Sequence, residues 1–162
     1  MEENLTINAI LACDSNFGIG NEGRLPWPKN ERDMQWFRDH TRGHVVLMGR
    51  TTWESIGSKP LKNRINVVVT SKDLEGPDFT MCGDMEDILK GAQEKWPHLH
   101  IWVMGGADIY EQALPYCDKL YLTRFQQKFE CDCHVESDII VKFPVIEYWK
   151  EDDELIFQIR RR

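Results

Sequence analysis

Hydrophobic positions along this chain change period repeatedly, from the alternation a strand makes to the three- and four-residue steps a helix makes. Apolar runs predict strands over Thr6 to Cys13, His44 to Met48, Ile65 to Ser71, Phe79 to Cys82, His100 to Met104 and Lys119 to Phe125. Met85, Ile88, Leu89, Ala92 and Trp96 recur at helical spacing until Pro97, which predicts a helix with one apolar face. Met34 and Phe37 predict another helix from about Lys29 to Thr41, and Ala107 to Leu114 a third that Pro115 stops. Near the carboxyl end Leu155, Phe157 and Ile159 alternate with polar or outward positions, as in a strand paired antiparallel late in the fold. Strands alternating with helices imply an open, mainly parallel α/β sheet. Ligands of such sheets bind beyond the carboxyl ends of the strands.

Length and composition narrow the class. A chain of 162 residues, 41% apolar and 29% charged, suits one soluble globular domain, expected over 1–162. No stretch approaches the roughly 18 apolar residues of a membrane span. The start Met1-Glu2-Glu3-Asn4-Leu5-Thr6 has neither the basic beginning nor the apolar run of an export signal, so a cytoplasmic protein is expected. Five cysteines, an odd number scattered through regular elements, read as reduced thiols. A net charge of -7 argues against general nucleic-acid binding, so an anionic ligand must be held by a few placed cations.

Gly18, Gly20 and Gly23 spell a literal G-x-G-x-x-G, but Arg24-Leu25-Pro26-Trp27-Pro28 follows where a dinucleotide fingerprint needs a helix to open. The segment reads as a loop, either a cover for a ligand or a plain connection. At Gly49-Arg50-Thr51-Thr52 a strand passes into a helix, with Thr51 and Glu54 fitting a capping box. Amides at such a start attract phosphate and Arg50 adds a forked donor, or the feature is only a cap. Gly105-Gly106 before Ala107 is either a tight turn or a close backbone approach to a ligand. Asp33, beside Met34 and one turn before Phe37, is either solvated or, if buried, a carboxyl of raised pKa fit to steer a proton.

These residues together resemble dihydrofolate reductase along nearly the whole chain. Gly20-Asn21-Glu22-Gly23-Arg24-Leu25-Pro26-Trp27 is similar to that family's active-site loop, and Met48-Gly49-Arg50-Thr51-Thr52-Trp53-Glu54-Ser55-Ile56-Gly57 to its cofactor-site signature. Asn66 to Ser71, Val103 to Tyr110 and Lys119 to Thr123 match further motifs in the same order. The resemblance implies an eight-stranded, mostly parallel sheet flanked by helices, with a carboxyl-terminal antiparallel strand. It also implies reduction of dihydrofolate to tetrahydrofolate by NADPH, in support of one-carbon metabolism and thymidylate and purine synthesis, by an enzyme expected to be monomeric. A riboflavin-pathway reductase sharing the sheet, or a scaffold without turnover, are the rivals.

By the same resemblance Asp33 is the active-site carboxylate that bonds the pteridine, supported by Thr123, while Leu25 and Trp27 stand where solvent delivers a proton. Ile10, Leu11, Ala12, Met34, Phe37, Ser55, Ile56, Leu61, Met104 and Tyr110 would line the substrate pocket, and Arg64 would grip a substrate carboxylate. Ala12, Ile19 and Gly20 would surround the nicotinamide. Arg50, Thr51 and Thr52 would contact the phosphates, Gly105, Gly106 and Ala107 the pyrophosphate, and Arg50, Ser71 and Lys72 the 2′-phosphate, with Gly49, Thr70 and Ile109 also on the cofactor side.

Three stretches depart from the family pattern. Cys131-Asp132-Cys133-His134 stands where the family commonly has Gly-Asp-Thr; it reads as an ordinary loop that braces the active-site loop, and no metal site is expected of it. Its lost glycine bears on loop closing more than on chemistry. Lys62-Asn63 replaces a common Pro-Gly turn, and Asp108 stands where some relatives are basic.

Overall fold

The structure, a computed structural model, describes residues 6–162. The acidic start Met1 to Leu5, on which the expectation of no export signal rests, lies outside the described residues. In chain order the elements are β1 (Ile7–Cys13), β2 (Gly18–Gly20), α1 (Glu31–Thr41), β3 (Val45–Gly49), α2 (Arg50–Ser55), β4 (Ile65–Val69), β5 (Phe79–Met81) and α3 (Met85–Lys95). There follow β6 (Ile101–Val103), α4 (Ala107–Ala113), a 3-10 turn (Leu114–Tyr116), β7 (Lys119–Phe125), β8 (Cys133–His134), α5 (Ile139–Lys142), β9 (Val145–Glu151) and β10 (Leu155–Arg161).

Eight strands form one sheet in the order β5-β4-β3-β6-β1-β7-β10-β9. The first six run parallel, and β10 turns antiparallel to β7, with β9 antiparallel on its outer side. The chain therefore steps from β1 through β3 and β4 to β5, returns to β6, and then crosses beyond β1 to β7. Right-handed crossovers send outward and returning helices to opposite faces. Trp36 and Phe37 of α1 and Trp53 of α2 pack with Ile10, Val46, Met48, Val68 and Trp102 on one face. On the other, Ile88, Leu89 and Ala92 of α3 and Ile109 and Ala113 of α4 pack against Ala9, Leu47 and Leu122. Each fully buried Leu or Ile there contributes about 1.5–3 kcal/mol.

Because the six strands are parallel, their carboxyl ends share one edge. Asp14, Arg50, Thr70, Met104 and Gln126 each follow directly on one of those ends.

Several expectations need correction. The helix expected from Lys29 begins at Glu31, because Pro28 and Lys29 precede Asn30, the cap whose side chain accepts the Asp33 N–H at 3.1 Å. The Thr51–Glu54 capping box does not form: the helix starts two residues earlier with Gly49 as cap, and Glu54 pairs instead with Arg50 Nε at 2.8 Å. Two stretches read as loops contain short strands, since Gly18 and Gly20 pair with His134 and Cys133. Strand β9 was not foreseen, and its residues are exposed throughout.

Candidate active site

Asp33 projects from the first turn of α1, whose start is tied to the turn between β9 and β10. Asn30 donates to Glu154 at 2.8 Å, and Arg32 reaches Asp152 and Glu154, all from the β9–β10 end of the sheet. The helix thus sets Asp33 at a fixed place against β7, where the buried Thr123 hydrogen-bonds its carboxylate. Burial raises the Asp33 carboxyl above its ordinary value, and the Thr123 bond works against that rise. Phe37 lies one turn further along the helix. Arg64 stands 5.7 Å from the Phe37 ring, its Nε donating to the Lys62 carbonyl at 2.9 Å and its Nη1 to Thr41 at 3.2 Å. Those bonds aim the guanidinium, which a lone lysine would not achieve.

The other expected pocket residues divide. Ile10, Phe37, Ile56, Leu61 and Met104 share one cluster on the α1 face. Leu11 does not join them: strand alternation turns it to the opposite face with Ala9 and Cys13, so only its backbone can approach a ligand on the α1 side. Tyr110 is buried with its hydroxyl donating to the Ile10 carbonyl at 2.6 Å, which supports β1 from behind. The Ser55 hydroxyl bonds the Thr52 carbonyl at 2.6 Å, and Met34 is partly exposed at the rim.

On the cofactor side two strand-to-helix junctions are packed together. The Gly49 N–H donates to the Gly105 carbonyl at 2.8 Å, and a Cβ on Gly49 would come within 2.9 Å of Ile109. Gly105 has φ of +110° and would set a Cβ 3.1 Å from the Tyr110 ring, so glycine is required there for backbone and space alike. A Cβ on Gly106 would lie 3.5 Å from Thr52 Oγ1. The Gly-Gly junction and the start of α2 therefore lie side by side at the carboxyl edge of the sheet. With six residues α2 has little macrodipole, so its exposed N–H groups and Arg50 are what it can offer. Thr70 to Lys72 close the neighbouring strand end, with the Lys72 N–H on Thr70 Oγ1 at 3.2 Å. Asp108 is exposed in the first turn of α4.

The loop after β1 is built from backbone bonds. Asn21 and Arg24 exchange N–H to carbonyl bonds at 2.9 and 3.0 Å around Glu22 and Gly23, both at positive φ. The third glycine of the G-x-G-x-x-G thus closes a tight turn, and no helix opens until Glu31. Asp132 accepts the Glu22 N–H at 2.9 Å and gives its own N–H to the Gly20 carbonyl at 3.0 Å, which is the brace expected of this segment. Trp27 is buried, stacked 4.3 Å from Phe125, while Leu25 is 66% exposed. Among the described residues no group of three or more His, Cys, Asp or Glu is placed to hold a metal ion.

Sequence reasoning missed Asp14, which is fully buried at the root of this loop. Its signal was available, since an Asp between an apolar strand and a Ser-Asn pair is the start of an Asx-type turn, and it accepts the Asn16 N–H two residues on at 2.9 Å. Thr41, which holds Arg64, gave no such sign.

Residues 6–154 match the family model of dihydrofolate reductase. The chain belongs to the dihydrofolate reductase family. It is 41% identical over 132 residues to dihydrofolate reductase of Bacillus subtilis, covering 79% of this chain and 74% of that one. It is 36% identical over 147 residues to the bifunctional dihydrofolate reductase-thymidylate synthase of Paramecium tetraurelia, covering 90% of this chain but only 31% of that longer protein. A solved dihydrofolate reductase from Enterococcus faecalis, complexed with NADP(H) and RAB-propyl, superposes with a TM-score of 0.84 at 27% identity. That superposition covers 97% of this chain and 96% of the other. The eight-stranded sheet with its antiparallel end is thus the fold of a dihydrofolate reductase.

Proposed function

We propose that this protein reduces dihydrofolate to tetrahydrofolate with NADPH. The observation that carries the reading is the half-buried Asp33, held by Thr123 near the carboxyl end of β7, at the same edge of the sheet where Gly49, Thr52, Gly105 and Gly106 meet. Packing keeps Gly49 and Gly105 bare, since a Cβ there would meet Ile109 or the Tyr110 ring, and the backbone of these junctions is then what can serve the phosphates of a dinucleotide.

When bound, NADPH supplies the hydride, and the rest of the work falls to the chain itself. Arg50, Thr51 and Thr52, with the backbone of Gly105, Gly106 and Ala107, hold the phosphates, and Ser71 and Lys72 with Arg50 take the 2′-phosphate. Ala12, Ile19 and Gly20 border the nicotinamide. Ile10, Phe37, Ile56, Leu61 and Met104 shed water from the pteridine and aminobenzoyl surfaces. Arg64 holds the substrate carboxylate by its fork. Asp33, as the carboxylate, bonds the pteridine amino group and ring nitrogen and raises the basicity of N5. The proton reaches N5 from solvent past the exposed Leu25, while the buried Trp27 anchors that end of the loop.

The full set of proposed groups comes from one chain, in keeping with a single-domain monomer. Five unpaired thiols suit a reducing cytoplasm, and the acidic balance disfavours nucleic acid as a partner. Among the described residues no helix is long and apolar enough to cross a membrane.

Following NADPH absorbance with dihydrofolate present tests the reading. Rapid oxidation that stops when dihydrofolate is consumed is expected. Oxidation with a riboflavin-pathway pyrimidine but not with dihydrofolate would assign the site to the rival reductase, and binding without turnover to a silent scaffold.

A further inference from the structure

Asp14 follows β1 directly and is fully buried, where a carboxylate is strongly unfavourable unless its lone pairs are filled. Four donors fill them. Oδ1 accepts the N–H groups of Asn16 at 2.9 Å and Gly18 at 2.8 Å; Oδ2 accepts the Phe129 N–H at 2.9 Å and the Cys131 thiol at 3.5 Å. The first pair belongs to the loop leading to Ile19 and Gly20. The second belongs to the segment that joins β7 to β8. One carboxylate therefore fastens the two stretches, which also meet through the β2–β8 pairing, the Ser15 N–H on the Gln127 carbonyl at 3.3 Å, the Val135 N–H on the Phe17 carbonyl at 3.0 Å and the Asp132 bonds.

Gly18 and Cys131 are matched to this arrangement. A Cβ on Gly18 would run into the Cys131 side chain, so the bare backbone at 18 is what lets the thiol lie against the carboxylate. The cysteine that replaces the family's usual glycine is thereby given a place and a partner.

We propose that Asp14, with the Cys131 thiol as one of its donors, is a positioning residue that fixes Ile19 and Gly20 beside the cofactor for hydride transfer. The assignment rests on the reductase reading above. Its consequence is selective. Asp14 makes no bond to α1, Thr123 or Arg64, so disturbing it should displace the loop while the substrate wall stays in place.

The test uses Asp14→Asn in the full chain. The amide keeps one acceptor oxygen and turns an NH2 group toward donors, so part of the clamp opens with little change of volume. Single-turnover hydride transfer should fall by roughly tenfold to a hundredfold, as misplacement of reacting groups does. NADPH affinity should drop several-fold, dihydrofolate affinity should hold, and the Gly18 and Phe129 amides should exchange faster. Unchanged hydride transfer and NADPH affinity with those amides exchanging freely would overturn the assignment, as would dihydrofolate affinity falling in step with that for NADPH.

Should Asp14→Asn fail to fold, Cys131→Ala and Cys131→Ser decide instead. Alanine removes the donor and should slow hydride transfer, and serine, which keeps a donor, should recover most of the loss; equal rates for the two would overturn the proposal. A parent that leaves NADPH unoxidised with dihydrofolate sinks the reductase reading and this assignment together. A parent that turns over while the variants match it sinks the assignment alone.

Discussion

Two acids near the carboxyl ends of β1 and β7 are driven in opposite directions by their surroundings. For Asp33 burial dominates and lifts the carboxyl, and the Thr123 bond only partly offsets it. Burial acts to raise Asp14 as well, but the N–H groups of Phe129, Gly18 and Asn16 and the Cys131 thiol outweigh it and hold that carboxyl below its ordinary value. The difference is the supply of donors. A carboxylate whose every lone pair is satisfied has nothing left to give a ligand and serves geometry; one short of donors can take those a ligand brings. The regions differ in the same sense. Asp33 rides on an 11-residue helix with a capped and pinned start, whereas Asp14 fastens a loop made of backbone turns.

The sharpest way to break this comparison is Asp33→Asn, which keeps size but removes the charge proposed to stabilise a protonated pteridine. Hydride transfer at neutral pH should fall by about a hundredfold or more, as when a single charge-stabilising group is lost elsewhere. Stability should not follow. A raised carboxyl binds its proton more tightly folded than unfolded, so the charged form opposes folding above the folded pKa. Melting of Asp33→Asn at neutral pH should therefore match or exceed the parent, and a marked drop would mean Asp33 is structural like Asp14.

Arg64→Lys sharpens the rigidity of the substrate wall. It keeps the charge and loses the fork, so the Michaelis constant for dihydrofolate should rise by roughly ten- to a hundredfold, the worth of one or two charge-assisted hydrogen bonds. A substrate fragment without the glutamate tail should be nearly indifferent; equal losses for both would deny the role. On the cofactor side, Arg50→Gln with Lys72→Gln should weaken NADPH by about tenfold and NADH hardly at all, since only NADPH brings the 2′-phosphate. Titrations showing equal losses would remove those residues from the 2′-phosphate site.

The smallest effect concerns acid. Asp14 is lowered in the folded state, so the stability it confers is complete above the unfolded value of about 3.9 and is lost as pH falls through its folded value. Protection of the Gly18 and Phe129 amides should hold from neutrality to below about pH 4, and fade only as the lowered folded value is crossed. Loss of protection near pH 6 would show that another group governs the loop.

Much of this was legible in the residues. Strong periodicity marked α3, and apolar runs marked β1, β3, β4 and β7, because a buried face imposes a period the eye can follow. Strand β9 escaped since all its residues are exposed and no alternation is enforced. The short β2 and β8 escaped because glycines and a Cys-Asp-Cys run carry no strand preference, and they pair only once the chain has closed. Asp33, Arg64 and the paired glycine junctions stood out in the sequence by their motifs as candidates. Asp14 showed only its local turn and Thr41 nothing, because the partners that matter, Phe129 and Cys131 for the one and Arg64 for the other, lie far off in sequence and only the folded chain brings them together.

The central claim, that the carboxylate short of donors is the one engaged in chemistry, is tested most directly by single-turnover hydride transfer on the parent and Asp33→Asn from about pH 5 to 9. The parent is expected to level off at acid pH, at a value above the ordinary carboxyl range, and the variant to start far slower at neutrality and gain rate steadily toward acid as solvent supplies the proton. A variant with the parent's neutral rate, or with the parent's plateau, would contradict the account.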